Sequence, residues 1–488
     1  MSHWQLSLDL DARSDNRSPV FVRIARSVSD DITRGRLRAG QRLPGTRTLA
    51  RSLGVHRNTV VAAFDELVAQ GWVETDPARG TFVSKVPVPL RRVRNAAPDR
   101  RLVEEPRFLL PDAPERASVP IVPKDTLFLA GGRPDPRLFP TEEFARAHRR
   151  SLRLHGREVL DYGDPRGEPL LRAALASMLA DRRGVACEAD DVLVTRGAQM
   201  AIWLAAHVLV EKGDRIAVEA NGYPPAWKAM REAGAELCPI PVDRDGMRVE
   251  ELAPLLAHGE LRAVYVTPHH QFPTMAVLAP ARRIRLLELA RRHRFAILED
   301  DYDNEYHYHG RPVLPLASLD ESGSVIYIGT LSKVLAPGLR IGFMVAPRVV
   351  VERAARARSF LDRQGDRATE LAIAELLEDG EVQRHAQRAR RVYSARRDVL
   401  ITELRARLGD VVDFELPAGG LALWARVARG IDVDRWAERS LARGVGFQHG
   451  RLFAFDRKKT QTARFGFASL DEKELGEAIR RLAAALPA

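Results

Sequence analysis

The chain has 488 residues, 45% hydrophobic and 29% charged, which excludes a disordered or low-complexity polypeptide and allows two or three domains with sizeable cores. Its formal net charge of +11 favours nucleic acid among possible partners, although an arginine-rich composition also follows from a GC-rich genome. Two cysteines, Cys187 and Cys238, cannot build a metal cluster alone, so neither a disulfide nor a metal site is expected. The opening residues Met1 to Leu6 lack a basic region followed by an apolar core. The most apolar stretch, residues 201–210, is too short to span a bilayer. A cytoplasmic protein without membrane contact is the expectation.

Val20, Ile24, Val28 and Ile32 recur at helical spacing and predict an amphipathic helix over residues 19–34. Further on, Thr46 can cap a short helix whose Leu49, Ala50 and Leu53 face inward. Gly54 then permits the tight turn of a helix-turn-helix. Val60, Phe64 and Leu67 form the buried stripe of the next helix, and its first residues, His56, Arg57, Asn58 and Thr59, would enter the major groove of DNA. The segment Ala78-Arg79-Gly80-Thr81-Phe82-Val83 reads as a β-hairpin wing. Across residues 19–85 this pattern resembles the winged helix-turn-helix of GntR-type bacterial regulators. The resemblance implies phosphate or base contacts to a double-stranded DNA operator by Arg47, His56, Arg57, Asn58 and Thr59, with Gly80 at the wing tip. Val61 stands where some relatives carry a basic residue, which implies fewer groove contacts. An α/β winged domain is therefore expected over residues 1–86.

Residues 87–124 change character. Pro87, Pro89, Pro98, Pro106, Pro111, Pro114, Pro120 and Pro123 interleave with Arg91, Arg92, Arg94, Arg100 and Arg101. Such a stretch cannot sustain a helix or bury much apolar surface, and it reads as an extended linker. From Asp125 to Ala488, short apolar runs such as Val192–Thr195, Ala263–Val266 and Phe295–Leu298 alternate with helical patterns. Unalternated apolar strands between helices indicate an α/β domain with a mainly parallel sheet covered on both faces.

Within this second domain the residues suit pyridoxal 5'-phosphate, which needs an amine, a phosphate cradle, a partner for the ring nitrogen and a surface to stack on. Lys333 lies in Gly329-Thr330-Leu331-Ser332-Lys333, with Arg340 beyond; its amine would form the Schiff base while Thr330, Ser332 and Arg340 face the phosphate. Gly197, Ala198 and Gln199 follow a strand and open a helix, whose N–H groups would hold the same phosphate. Tyr223 is the candidate stacking residue. Asp300 is the candidate partner of the pyridine nitrogen, and Tyr302 is placed to meet the phenolic oxygen. This order is similar to that of a fold-type I aminotransferase. There, an arginine equivalent to Arg464 pairs with a substrate carboxylate, and a segment like Asp161-Tyr162-Gly163 reaches the partner subunit's site, which implies that Tyr162 contacts the cofactor phosphate across a homodimer interface.

Both halves in this order resemble the MocR/GabR type of GntR regulator over nearly the whole chain. Thr267-Pro268-His269-His270-Gln271-Phe272-Pro273-Thr274-Met275 strengthens the match. Phe272 stands where true aminotransferases carry an asparagine, so a polar contact to the cofactor ring is missing. His269 and Met275 depart from the usual serine and glycine. Pro225 replaces an arginine that some members use for an amino-acid ligand, which argues against a simple γ-aminobutyrate sensor. The resemblance implies a homodimeric transcription factor, associated with the nucleoid when bound to DNA. Its response to an amine, an amino acid or vitamin B6 itself would run through Lys333. The competing expectation is a working aminotransferase with an accessory DNA-binding domain; a cofactor-free scaffold is the third.

Overall fold

In the computed structural model, apolar residues at helical spacing draw three N-terminal helices together, Val20–Thr33, Thr46–Leu53 and Arg57–Ala69, ahead of an antiparallel hairpin of Val73–Asp76 and Gly80–Val83. Ile24, Val28, Leu49, Val60, Phe64, Leu67, Val73 and Val83 form their common core. Gly54 ends the second helix at φ 65°, a left-handed conformation that glycine adopts without a Cβ penalty. Thr46 does not cap that helix as expected. Gly45 takes the extended cap position, which glycine tolerates, and Thr46 becomes the first helical residue. The wing tip also shifts. Pro77, Ala78 and Arg79 form the turn, with Asp76 Oδ1 accepting from the Ala78 and Arg79 N–H groups. Gly80 at φ 105° opens the return strand opposite Asp76.

The structure describes residues 19–85, 110, 125–129, 132–257, 259–308 and 313–487. Apart from Leu110, the linker expected over residues 87–124 lies outside the described residues. The chain divides into two compact units, one up to Pro114 and one from Glu115.

The second unit is organised by a seven-stranded sheet. Its spatial order is Val192–Thr195, Gly342–Val345, Val325–Thr330, Ala296–Asp301, Ala263–Val266, Arg215–Glu219 and Glu236–Ile240. Only Gly342–Val345 runs antiparallel to its neighbours. Successive residues of one strand enter opposite cores: Val192 and Val194 pack on one face and Leu193 on the other. That is why the strands lack polar alternation. A second sheet, not foreseen in the sequence, joins Val412–Phe414, Ala422–Val427, Thr462–Gly466, Val445–His449 and Leu127–Leu129. The last strand comes from the other end of the unit and pairs in parallel with Val445–His449. Trp436, Phe447, Phe465, Leu475 and Ile479 fill the core behind it. Among the described residues no helix is long and apolar enough to cross a membrane.

Candidate cofactor and ligand site

The parallel strands share a direction, so the loops leaving their carboxyl ends gather at one edge of the sheet, where α/β folds place ligands. A cavity there is lined by the predicted residues Ala198, Gln199, Tyr223, Asp300, Tyr302, Thr330, Ser332, Lys333 and Arg340, together with Gly132, Thr267 and Phe272. Gly197 and Tyr162 are not in its wall. Gly197 sits one step back as the N-cap of the helix Ala198–Leu209, at φ 81°. A Cβ there would come within 3.1 Å of the Arg340 guanidinium. Arg340 Nη2 donates to the Arg196 carbonyl at 2.6 Å, so its cation hangs over the helix start and completes an anion cradle. Tyr162 lies on the surface, 72% exposed, with Arg363 stacked 4.1 Å from its ring centre.

Lys333 follows the strand Val325–Thr330 through a turn in which the Ser332 N–H donates to Thr330 Oγ1 at 3.1 Å. Burial lowers its amine from the ordinary 10.5 to about 8, and the Arg464 cation pushes the same way. Asp300 is also buried. Its Oδ2 accepts from the Tyr265 hydroxyl at 2.7 Å, while Oδ1 meets no hydrogen-bond partner among the described residues. Burial raises this carboxyl to about 7 despite the Tyr265 bond. Its neighbours on the strand, Glu299 and Asp301, are buried too. Sequence reasoning missed Tyr265, whose signal was one hydroxyl in an aliphatic strand.

The loop after Val266 is shaped by a second buried acid. Glu219 Oε2 accepts from Thr267 Oγ1 at 2.7 Å, and Thr267 Oγ1 accepts from the Phe272 N–H at 2.9 Å. Gln271 Nε2 donates to the Asn221 carbonyl at 2.7 Å and Gln271 Oε1 accepts from Thr274 Oγ1 at 2.6 Å. A cis bond joins Phe272 to Pro273. These contacts present Phe272 to the cavity, with ring centres 5.4 Å from Tyr223, 6.1 Å from Tyr302 and 5.3 Å from Phe453. An aromatic wall stands where a polar contact was expected to be missing. Pro225, two residues beyond Tyr223, accepts from Gln199 Nε2 through its carbonyl at 3.0 Å.

Arg464 enters from the second sheet, on the strand Thr462–Gly466, and is fully buried. Its guanidinium lies 4.6 Å from the Phe272 ring centre, and Nη2 is 3.8 Å from Met275 Sδ. Nε and Nη1 have no hydrogen-bond partner among the described residues. Gly132, another residue the sequence did not flag, marks how close this arginine is to the lysine: a Cβ there would lie 3.9 Å from both Lys333 Nζ and the Arg464 guanidinium.

A cation at a helix start, an amine of depressed pKa, an acid with an open oxygen and aromatic walls fit a phosphorylated pyridine aldehyde. In the first unit, Arg47, His56, Arg57 and Asn58 are exposed and Thr59 is half-buried at the start of the helix Arg57–Ala69. His56 is its N-cap, Nδ1 accepting from the Asn58 N–H at 3.3 Å.

Two family models match the chain: bacterial regulatory proteins of the gntR family over residues 22–83, and aminotransferase class I and II over residues 129–482. The chain is 34% identical over 472 residues to the probable rhizopine catabolism regulatory protein MocR of Rhizobium meliloti, covering 96% of this chain and 94% of the relative. It is 33% identical over 471 residues to the HTH-type transcriptional regulator TauR of Rhodobacter capsulatus, covering 95% and 96%. Its fold is similar to the crystal structure of a multiple substrate aminotransferase from Thermococcus profundus, with a TM-score of 0.70 and 32% identity over 75% of this chain and 92% of that one. The chain belongs to the MocR-type regulators of the gntR family, transcription factors that carry a pyridoxal phosphate-type aminotransferase fold behind a DNA-binding winged helix.

Proposed function

We propose that this regulator holds pyridoxal 5'-phosphate at Lys333 and alters its DNA occupancy when an amine or amino acid enters the same cavity. The observation that carries the reading is the buried Lys333 amine, its pKa lowered by burial, facing the same cavity as Asp300, Arg340 and the start of the helix Ala198–Leu209. When bound, the cofactor supplies an electrophilic carbon that amines capture and a ring that withdraws electrons. Arg340 and the N–H groups at Ala198 and Gln199 would hold its phosphate, Thr330 and Ser332 would add hydroxyl contacts, and Tyr223 would stack on the ring. Asp300 would carry the charge beside the pyridine nitrogen, and Tyr302 would face the phenolic oxygen. Arg464 would receive a ligand carboxylate. Tyr162, exposed on its own chain, would reach the phosphate in a second subunit of a homodimer.

An amine held in the cavity would change what Lys333, Arg464 and the aromatic wall face. Any difference in its affinity for two arrangements of the domain shifts their populations. In the winged domain, Arg57, Asn58 and Thr59 would face the major groove and Arg47 a phosphate, with His56 and Gly80 placing helix and wing. Such a role puts the protein in the cytoplasm, on the nucleoid.

The test is fluorescence-anisotropy titration of the full-length protein on the DNA upstream of its own gene, with and without amines, alongside the visible absorbance of the attached cofactor. The expected result is coupled change: amines that shift the absorbance also shift DNA affinity, and Lys333→Ala loses both responses. Turnover of amino acids at ordinary enzyme rates, with no sequence-dependent DNA binding, would sink the reading in favour of an aminotransferase. Phe272 and Met275 beside the cavity weigh against that alternative.

A further inference from the structure

Three histidines that the cofactor site does not use lie together where the two sheets of the second unit meet. His269 and His270 belong to the loop after the strand Ala263–Val266, and His307 follows the strand Ala296–Asp301. Each offers a ring nitrogen, and these nitrogens lie within 4.8 Å of one another. His307 also bridges to Gly419, just ahead of the second-sheet strand Ala422–Val427.

His270 is already oriented. Its Nδ1 is 2.7 Å from Asp303 Oδ1, with both side chains buried; with Nδ1–H donating to the carboxylate, the neutral ring presents its lone pair at Nε2. A carboxylate behind an imidazole is the pairing that fixes the tautomer of metal-bound histidines and raises their basicity. Nε2 of His270 has no hydrogen-bond partner among the described residues, and neither does Nδ1 or Nε2 of His269. Both rings are nearly inaccessible, 3% and 1% exposed. Unmet buried nitrogens cost stability unless water or an ion satisfies them. Three imidazoles around one point, one of them backed by a carboxylate, match the donor set of a zinc-class ion.

We propose that His269, His270 and His307 bind one divalent transition-metal ion, with Asp303 orienting His270 and the fourth position left to water. The proposal is independent of the cofactor reading, and no metal site was expected from the sequence. Metal–nitrogen bonds of about 2.0–2.1 Å require the nitrogens to draw closer than they stand, a movement that rotation of the His269 and His307 rings supplies. The ion ties the loop carrying Phe272 and Met275 to the turn at Gly419 that feeds the second sheet. It therefore braces the junction from which Arg464 enters.

The test uses the full-length protein, stripped with a chelator and titrated with Zn²⁺ against a chromophoric competitor, then with Co²⁺ for its visible bands. The expected result is one ion per chain with tetrahedral Co²⁺ absorption. Asp303→Asn is expected to weaken binding by about 10–100-fold, while His269→Gln and His307→Gln lose the stoichiometric ion. Far-UV circular dichroism monitors folding in each variant. If His269→Gln fails to fold, the half-buried His307→Gln decides. Wild-type protein that takes up no ion, or histidine variants that take it up as the wild type does, overturns the proposal and leaves water as the occupant.

Discussion

Met275 covers Arg464. Its sulfur lies 3.8 Å from Arg464 Nη2, and its backbone is left-handed, φ 66°, a conformation unfavourable to any residue with a Cβ. A thioether is a weak acceptor, so the arginine faces this sulfur and the Phe272 ring where a carboxylate would bind far more strongly. A ligand carboxylate that pairs with Nη2 displaces this sulfur.

Removing the side chain should therefore sharpen the response. Met275→Gly is expected to raise the affinity for amino-acid ligands by about tenfold, about 1.4 kcal/mol, while amines without a carboxylate bind as before. The relief of left-handed strain offsets part of the lost packing. Titration of the cofactor's visible absorbance with matched pairs of amino acid and decarboxylated amine measures both. Equal gains for both members of a pair would show that Met275 restricts space and not the arginine.

Arg464→Ala is expected to abolish the absorbance response to carboxylated amines and to leave the cofactor bound, because Lys333, Asp300 and Arg340, the residues assigned to hold it, are unchanged. Retention of cofactor after gel filtration, with ligand titration of the same sample, separates the two effects. A preserved response would mean that the ligand has no carboxylate or anchors elsewhere.

Lys333 sets a pH dependence whose sign follows from its burial. A lysine lowered from 10.5 to about 8 binds fewer protons folded than unfolded between those values, so the cofactor-free protein gains stability as pH rises through that window. The neutral amine, which alone attacks an aldehyde, prevails above about pH 8. Covalent capture of pyridoxal phosphate, followed by stopped-flow absorbance, should accelerate with pH around a midpoint near 8 and be absent in Lys333→Ala. A midpoint near that of free lysine would contradict the buried setting.

On the DNA side, Arg57 is exposed at the start of its helix, with Nε only 3.5 Å from Thr46 Oγ1, a weak tether that leaves the guanidinium available. Arg57→Ala is expected to weaken operator binding by about 1–3 kcal/mol and to relax sequence preference. Arg47→Ala should weaken all sequences alike and reduce the salt slope by about one. Anisotropy titrations at several salt concentrations distinguish them, and unchanged binding by the Arg57 variant would displace the helix Arg57–Ala69 from the groove.

Much of this site could be read along the chain because its residues sit in local patterns. Asp300 lies near the end of an apolar strand, Lys333 lies in a hydroxyl-flanked turn after another, and Gly197 precedes a helix. What remained hidden depends on distant pairing. Tyr265 reaches Asp300 only because their strands are neighbours in the sheet, and Glu219 meets Thr267 for the same reason. Gly132 carries no signal until Arg464 and Lys333 are brought beside it. The second sheet was missed because its edge strand, Leu127–Leu129, is three residues long and joins a strand from the far end of the domain. Thr46 was misplaced by one position, since serine-like caps and glycine caps cannot be told apart without the backbone.

The strand Ala296–Asp301 is held from both sides, by Ala263–Val266 and by Val325–Thr330, and its acids alternate between faces. Glu299 accepts from the Leu316 and Ala317 N–H groups and Asp301 from the Tyr327 hydroxyl, while Asp300 meets Tyr265. A slip of one residue would exchange these roles. The acid of the pocket is thus inherited from the rigid middle of the domain, whereas Phe272 and Met275 ride on a connecting loop. Divergence among descendants of such a protein should follow that division. New ligand preferences can arise by a few loop substitutions, while a lineage that abandons the cofactor must first rebuild the centre of its sheet.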